Sequence, residues 1–485
     1  MATTTPPPRR AGTHRWWALG LIAAAQFMVI MDTSIIGVAL PDMRADLGFA
    51  PQDLSWVFNA YVIAFGGLLL LGGRLSDLLG ARKVFVSGWV VLLAGSVLAG
   101  AAQNQAAEIV GRAVQGAGAA LIAPAALTLL MVLFGSSPKE LTKALALYGA
   151  AAPAGGTAGV FLGGVITEYA SWPWVFYLNI PIAIVVLAIV PAVMPSVPGS
   201  HGSHDVVGAA TVTGGLATAV YTIVRAPEVG WGSSQTLLTG LAAVGLIGVF
   251  LAVQARHRHP LVRLGIFRTP ALGAANVAQL LLGAAWVPMW FFLNLYLQQV
   301  LGLSAFPSGS ALLPMTVLIM LGMVLVAPRV IARFGPKVPL VTGMGVLAVG
   351  LFALSLVRSD GSYWVDVLPA SLVAAVGMSL AFIPSLGVAL SSARPEEGGL
   401  AAGIVNTSYQ VGSALGLAAM TAVAAANGSD RLGDLGSLTD GYSAAFVGAG
   451  LVAVAGAVLA AVSLRLPRPA SGSPAAEVSE VAPAA

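Results

Sequence analysis

Apolar runs of about 20 residues, the length a helix needs to cross a bilayer, recur from end to end of this chain, separated by short stretches rich in Pro, Gly, Arg and Asp. Each such run with few charges reads as a transmembrane helix. The pattern predicts fourteen, at 16–40, 54–73, 84–102, 108–133, 141–167, 173–194, 206–225, 235–254, 271–299, 309–331, 338–357, 364–391, 400–426 and 442–465. The seventh and eighth carry the weakest signal, because Ala, Gly and Thr dilute them. Strands of a membrane barrel would alternate over short segments, and the sequence lacks that alternation. The first run follows Arg9, Arg10 and Arg15 and extends to Pro41-Asp42. It is longer than the core of a signal peptide and is expected to remain as an uncleaved first span.

Composition supports a polytopic all-α membrane protein. Of 485 residues, 58% are hydrophobic and 9% charged, whereas soluble proteins carry about a quarter charged residues. There is no cysteine, so disulfides and thiolate metal sites are excluded. No His/Glu metal motif occurs either, and His201 and His204 read as part of a Gly/Ser linker. No basic cluster interleaved with aromatics suggests nucleic-acid binding. No GxxxxGK[ST] loop is present, so ATP is not expected as the direct energy source.

Loop charge orients the spans. With both termini in the cytoplasm, eighteen of the 23 Lys and Arg residues fall inside. Four (Arg44, Arg225, Arg358, Arg431) fall outside, and Arg112 lies within a span. That bias fits the positive-inside rule. Charge alone would also tolerate twelve spans, but an internal repeat favours fourteen. Gly72–Gly88 aligns with Ala327–Gly343 at an offset of 255, with Gly80 on Gly335, Arg74 on Arg329 and Arg82 on Lys337. Likewise Gly118–Pro124 resembles Gly377–Pro384. The offset exceeds the length of six spans and leaves room for two more. The expected plan is a tail (1–15), a six-helix bundle (16–194), two inserted helices with linkers (195–270), a second six-helix bundle (271–466) and a disordered tail (467–485). Parallel repeats of this kind place a substrate path between the halves near the midplane.

Within this oil, Asp32 stands out. A carboxylate at a bilayer centre costs roughly 2.5–3.5 kcal/mol on insertion scales and marks functional positions. Asp32 lies about 12 Å from the outer end of its span, and Arg112 about 6 Å from the outer end of the fourth, at about 1.5 Å per residue. An extended arginine bridges that difference, so the two are expected to pair in the outer half. A pair that binds and releases a proton would couple transport; a static pair would only fix helix packing. No second acid is expected within the spans, which argues against an intramembrane enzyme. The absence of a soluble output domain argues against a sensor.

Other residues suggest walls and joints. Gln279, Gly283, Trp286, Trp290, Asn294 and Gln298 share one face of the ninth span, and Pro288 is expected to kink it. Such a stripe is expected to face away from lipid, and its aromatics suit bulky, apolar or cationic ligands. Gln115, Tyr148, Asn406 and Gln410 are further cavity candidates, with helix–helix hydrogen bonding as the plainer role. Gly155, Gly156, Gly159, Gly163 and Gly164 recur at steps that allow close helix approach.

Four stretches together resemble the major facilitator superfamily, and within it the fourteen-span drug:proton antiporters. They are Met31–Pro41, Gly72–Val84, Gly111–Pro124 and Gly155–Ile182. Three positions, Leu78, Val160 and Pro173, depart from the usual pattern. The resemblance implies two six-helix bundles plus two inserted helices, alternating access, and export of amphipathic or cationic organic compounds in exchange for protons. It implies that Asp32 and Arg112 couple the proton, and that the stretch Gly73–Lys83, whose composition reads as a sharp loop, latches the halves through Gly73, Asp77, Gly80, Arg82 and Lys83. Asp77 would pair with Arg82 or sit at the N-terminus of a helix from the other half. The glycine set would seal the path against leak. The expected protein is a monomer in the cytoplasmic membrane, without a cofactor, that uses the proton gradient. Alternatives are a dedicated exporter of one metabolite or antibiotic, an uptake symporter, and a non-transporting sensor.

Overall fold

A computed structural model describes residues 11–49, 56–196, 205–256, 270–393, 397–431 and 433–464, with the single residues 54, 199, 260 and 265. Residues 1–10 of the expected N-terminal tail (1–15), the expected tail at 467–485, and His201 and His204 lie outside the described residues, while residues 11–15 begin the first helix. Helices account for nearly all the rest. In chain order they are α1 (Ala11–Leu47), α2 (Trp56–Leu79), α3 (Ala81–Gly100), α4 (Gln105–Phe134), α5 (Pro138–Tyr169), α6 (Trp174–Tyr177), α7 (Asn179–Val193), α8 (Val206–Val229), α9 (Ser234–Arg256), α10 (Pro270–Leu295), α11 (Ala305–Ala311), α12 (Leu313–Leu321), α13 (Ala327–Phe334), α14 (Lys337–Leu354), α15 (Leu368–Ser391), α16 (Gly398–Ala426) and α17 (Leu435–Ser463). Short π-helical turns extend α10 at Tyr296–Val300, join α12 to α13 at Gly322–Val326 and precede α15 at Tyr363–Val367.

Among the described residues, thirteen helical segments have the length and apolarity of a membrane span. The expected seventh, α8, is a helix of 24 residues whose described apolar run covers Val207–Ile223. The expected eighth is not weak. Its best window has a mean hydropathy of 2.3, and 17% of that window is buried. Leu237, Leu238, Leu241 and Val244 on α9 are each more than 60% exposed, as side chains facing lipid would be. The first helix also differs from expectation. It runs on past Pro41 to Leu47.

The internal repeat reappears as packing. A Cβ on Gly88 would come within 2.9 Å of the Gly118 carbonyl, and one on Gly343 within 2.9 Å of the Gly377 carbonyl. Gly95 approaches the Gln115 backbone, and Gly350 approaches the Ala374 backbone, each at 2.5 Å for an added Cβ. The pairs α3–α4 and α14–α15 thus use the same glycines to bring helix backbones together. Gly80 (φ 94) and Gly335 (φ 73) occupy equivalent positions before α3 and α14, in a backbone region that side chains rarely adopt.

The halves meet along two seams. At one, α2 packs on α16; at the other, α5 packs on α11, α12 and α15. The Thr157 and Thr316 hydroxyls lie 2.5 Å apart across the second seam, and Phe161 stacks near Phe306 at 5.2 Å. The inserted pair is placed asymmetrically. Helix α8 packs on both α2 and α16, and α9 packs on α8. Gly67 makes the first contact close, since a Cβ there would sit 2.8 Å from Ala217 Cβ. Asp205 caps the start of α8 through Gly208 N (2.7 Å) and accepts from Gln254 of α9 (2.7 Å), which closes the hairpin.

Candidate functional site: a buried ion pair in the first half

Asp32 is fully buried in α1, and so is Arg112 in α4. Arg112 Nη1 donates to Asp32 Oδ2 at 2.7 Å. The same nitrogen donates to Gln115 Oε1 at 2.7 Å, and Arg112 Nε donates to the Val57 carbonyl at 2.9 Å. Asp32 Oδ1 accepts from Asn179 Nδ2 at 2.7 Å and from Gln115 Nε2 at 3.1 Å. Ser96 Oγ accepts from both amides, at 2.9 Å from Gln115 and 3.1 Å from Asn179, and donates to Leu92 O. The Tyr61 ring centroid lies 4.5 Å from the guanidinium carbon and that of Phe176 5.9 Å, which adds cation–π attraction. Five long helices of the first half and the short α6 therefore meet around one ion pair. Three donors compensate a charge that burial alone would make very costly.

The second half has no counterpart. By the repeat offsets that bring Gly118 onto Gly377 and Gly88 onto Gly343, Arg112 falls on Ser371, Gln115 on Ala374 and Ser96 on Leu351. The site is thus a property of one half, and any effect it has on the other must pass through the seams.

Four expectations about individual residues change. Gln115, expected in a substrate wall, spends its side chain on Asp32, Arg112 and Ser96. The stretch Gly73–Lys83 is not a loop. Helix α2 continues to Leu79, Gly80 alone breaks it, and Gly73 is a crossing point where a Cβ would come within 2.4 Å of Gly399 O. Gly164 is not at a helix contact, since a Cβ there meets nothing within 4 Å. A second acid does lie within the spans: Glu108, one turn before Arg112, is fully buried in α4. Asn179 and Ser96 were missed altogether.

The remaining candidates fall into separate places. Gly155 and Gly159 face α1, where added Cβ atoms would meet Phe27 O at 2.3 Å and Met31 O at 2.8 Å. Gly156 has ordinary contacts with Ile30, Ser34 and Trp290, and Gly163 is buried. Tyr148 donates to Gln26 Oε1 at 2.7 Å. On α10, Gln279 donates to Ser385 of α15, Trp286 and Trp290 are 6.3 Å apart, and Asn294 accepts from Ser308 of α11. Gln279 and Trp286 are buried against protein, whereas Trp290, Asn294 and Gln298 are half-buried. Asn406 donates to Ala402 O, and Gln410 is half-buried on α16. None of these residues lines the apolar cleft of about 420 Å³ between α2, α4 and α8, whose walls include Trp56, Ala113 and Tyr221.

Asp77 links the halves. Its Oδ1 accepts from Gly399 N at 2.8 Å and its Oδ2 from Leu400 N at 3.0 Å. It therefore caps the N-terminus of α16, where backbone donors and the helix dipole favour an anion. Arg82 instead donates to Met194 O at 3.2 Å, and Lys83 is exposed. Losing a cap costs about 1–2 kcal/mol, roughly a 5–30-fold change in a two-state ratio. Asp77→Ala should therefore open this end of the α2–α16 seam more often. Because the chain has no cysteine, a cysteine placed at buried Leu70 beside Gly403 reports the opening. Its rate of labelling by a membrane-impermeant maleimide should rise in Asp77→Ala. An unchanged rate would show that the cap does not hold the seam.

Two sequence-related helical halves with a buried ion pair are an arrangement found in membrane transporters. The sequence pattern of the Major Facilitator Superfamily matches residues 22–417, and the chain belongs to that superfamily. It is 38% identical to the cephamycin export protein of Amycolatopsis lactamdurans over 93% of each chain. It is 34% identical to a puromycin resistance protein of Streptomyces alboniger, covering 89% of this chain and 85% of that one. A lincomycin resistance protein of Streptomyces lincolnensis is 32% identical over 92% of this chain and 91% of its own. In fold, the chain is similar to a crystal structure of a human organic anion transporter, with a TM-score of 0.66 at 15% identity, covering 94% of this chain and all of that one.

Proposed function

We propose that this multi-pass membrane protein exports small amphipathic organic compounds, antibiotics among them, in exchange for protons. The observation that carries the reading is the fully buried Asp32–Arg112 pair, held by Gln115, Asn179 and Ser96 inside a membrane-length bundle. Protonation of Asp32 removes one charge of the pair and leaves Arg112 to find another partner. Helices α1, α2, α3, α4 and α7 all touch that site, so its rearrangement bears on the whole first half. The α2–α16 and α5–α12 seams then carry the movement to the second half as a rocking of two bodies. The excess of basic residues in alternate loops supports both termini in the cytoplasm. On that orientation the Asp77 cap closes the cytoplasmic end, and the Asp32 site belongs to the outer half. The protein would work as a monomer in the cytoplasmic membrane, with the proton gradient as its energy source and no cofactor.

A narrower reading, a dedicated exporter of one antibiotic, is favoured by the similarity to relatives each named for a single compound. One panel separates the two. Expression in a susceptible bacterium should raise the inhibitory concentration of several unrelated amphipathic compounds if the exporter is broad, and of one chemical class if it is dedicated. No protection against any member of a panel spanning β-lactams, aminonucleosides, lincosamides and lipophilic cations would count against export.

A further inference from the structure

Glu108 is the one group in the ion-pair region that the scheme above leaves unused. It lies in the first turn of α4, four residues before Arg112, with a residue exposure of 0%. Neither of its carboxyl oxygens has a hydrogen-bond partner, and Arg112 Nη2 is also without one. Asp32, by contrast, accepts from three donors. The charged groups facing Glu108 are Arg112 on its own helix and Asp32 on α1. Helix α2 adds the Tyr61 ring over the guanidinium. Helices α3, α6 and α7 contribute Ser96, Phe176 and Asn179 to the same region, none of them ionisable.

Residues four apart on a helix are neighbours, about 6 Å apart along the axis, and Glu–Arg pairs form readily at that spacing. Arg112 thus has two carboxyls within reach, one on α1 and one on its own helix. Two bare carboxylates and one guanidinium would bury a net negative charge, and a buried charge without a partner is strongly unfavourable. Two carboxyls sharing one proton leave the cluster neutral.

We propose that Glu108 is a second proton site, the outer station of a relay in which one proton is shared between Glu108 and Asp32 while Arg112 pairs with whichever carboxylate is bare. In the arrangement described here the proton is on Glu108 and Arg112 is on Asp32. In the alternate one, the O–H bond of Glu108 has broken and one on Asp32 has formed, and the guanidinium has swung one helical turn towards Glu108. Arg112 keeps its protons throughout, so neither arrangement buries net charge. Glu108 lies nearer the end of α4, so it is the first of the two that an external proton meets. The inference rests on the proton-coupled reading above and deepens it.

Infrared difference spectra of the full-length protein reconstituted in liposomes test it without any transported compound. A protonated buried carboxyl gives a C=O stretch that an ionised one does not. At neutral pH the wild-type protein should show such a band, and Glu108→Gln should lose it. Asp32→Asn should lose it too, because Arg112 then has only Glu108 to neutralise it. A band unchanged in Glu108→Gln overturns the proposal, since Glu108 then carries no proton. A band lost in Glu108→Gln but retained in Asp32→Asn also overturns it, because the two carboxyls then do not exchange. Should Glu108→Gln fail to reach the membrane, Glu108→Ala takes its place, and retention of the band in Asp32→Asn still overturns the proposal. The proton-coupled reading fails separately, on transport by Asp32→Asn, so the two failures are told apart.

Discussion

Asp32→Asn should abolish proton-driven export and destabilise the first half. The substitution keeps the shape of the side chain but removes the charge that Arg112, Gln115 and Asn179 converge on. Removing one member of a buried pair costs about 3–5 kcal/mol, because the other charge stays buried without compensation. Asparagine retains an acceptor and Glu108 is nearby, so the loss should fall at the lower end, about 3 kcal/mol. Replacing both charges by groups of similar volume is often neutral. The double variant Asp32→Asn/Arg112→Met should therefore regain much of the thermal stability while remaining unable to export. Unfolding of the purified variants in detergent reads the first effect, and resistance of the expressing cells reads the second. Recovery of export by the double variant would show that the pair is only a strut.

Gly155→Val should be nearly as damaging, for a steric reason, whereas Gly164→Ala should be silent. Even a Cβ at Gly155 would lie 2.3 Å from the Phe27 carbonyl, on the helix that carries Asp32. Backbone cannot yield as a flexible side chain can, so α5 must move away from α1. Overpacking of that kind costs about 1–3 kcal/mol, and here it would also shift the ion pair. At Gly164 an added methyl meets nothing within 4 Å. The amount of folded protein extracted from membranes, together with the resistance it confers, should fall sharply in the first variant and stay at wild-type levels in the second. Equal effects at both positions would mean that the glycine set acts through chain flexibility and not through close approach.

Spacing marks both Gly155 and Gly164 as contact glycines, and only Gly155 is one. Spacing puts Gly155, Gly159 and Gly163 on a common face, but it does not say how far a neighbouring helix runs beside them. Charges in apolar runs were easier to read. Asp32 and Arg112 are costly wherever they sit in a bilayer, so their presence alone marked them, and their depths suggested the pairing. Ser96 and Asn179 carry no such penalty, because Ser96 satisfies itself on Leu92 O within its own helix and Asn179 stands at the start of α7. Glu108 falls at the very first position of the expected fourth span, 108–133. The helix in fact starts at Gln105, capped by Asn104 at 2.9 Å, and this carries Glu108 into the buried turn. The glycines of the repeat marked the fold well: Gly80 and Gly335 both adopt positive φ, and Gly88 and Gly343 both meet a glycine of the next helix. Loop composition misled at Gly73–Lys83, where small residues serve a crossing of α2 and α16 and only Gly80 serves a break.

The most direct measurement is accumulation of an exported compound by energised inside-out vesicles, comparing wild type with Asp32→Asn. A proton crossing about 100 mV releases about 2.3 kcal/mol, which can concentrate an exchanged neutral compound about 50-fold at about 1.4 kcal/mol per factor of ten. The account predicts accumulation towards that limit in wild type, with protons leaving the lumen as the compound enters, and equal concentrations on both sides for Asp32→Asn. Accumulation by Asp32→Asn to the wild-type level, with the same release of protons, would contradict it.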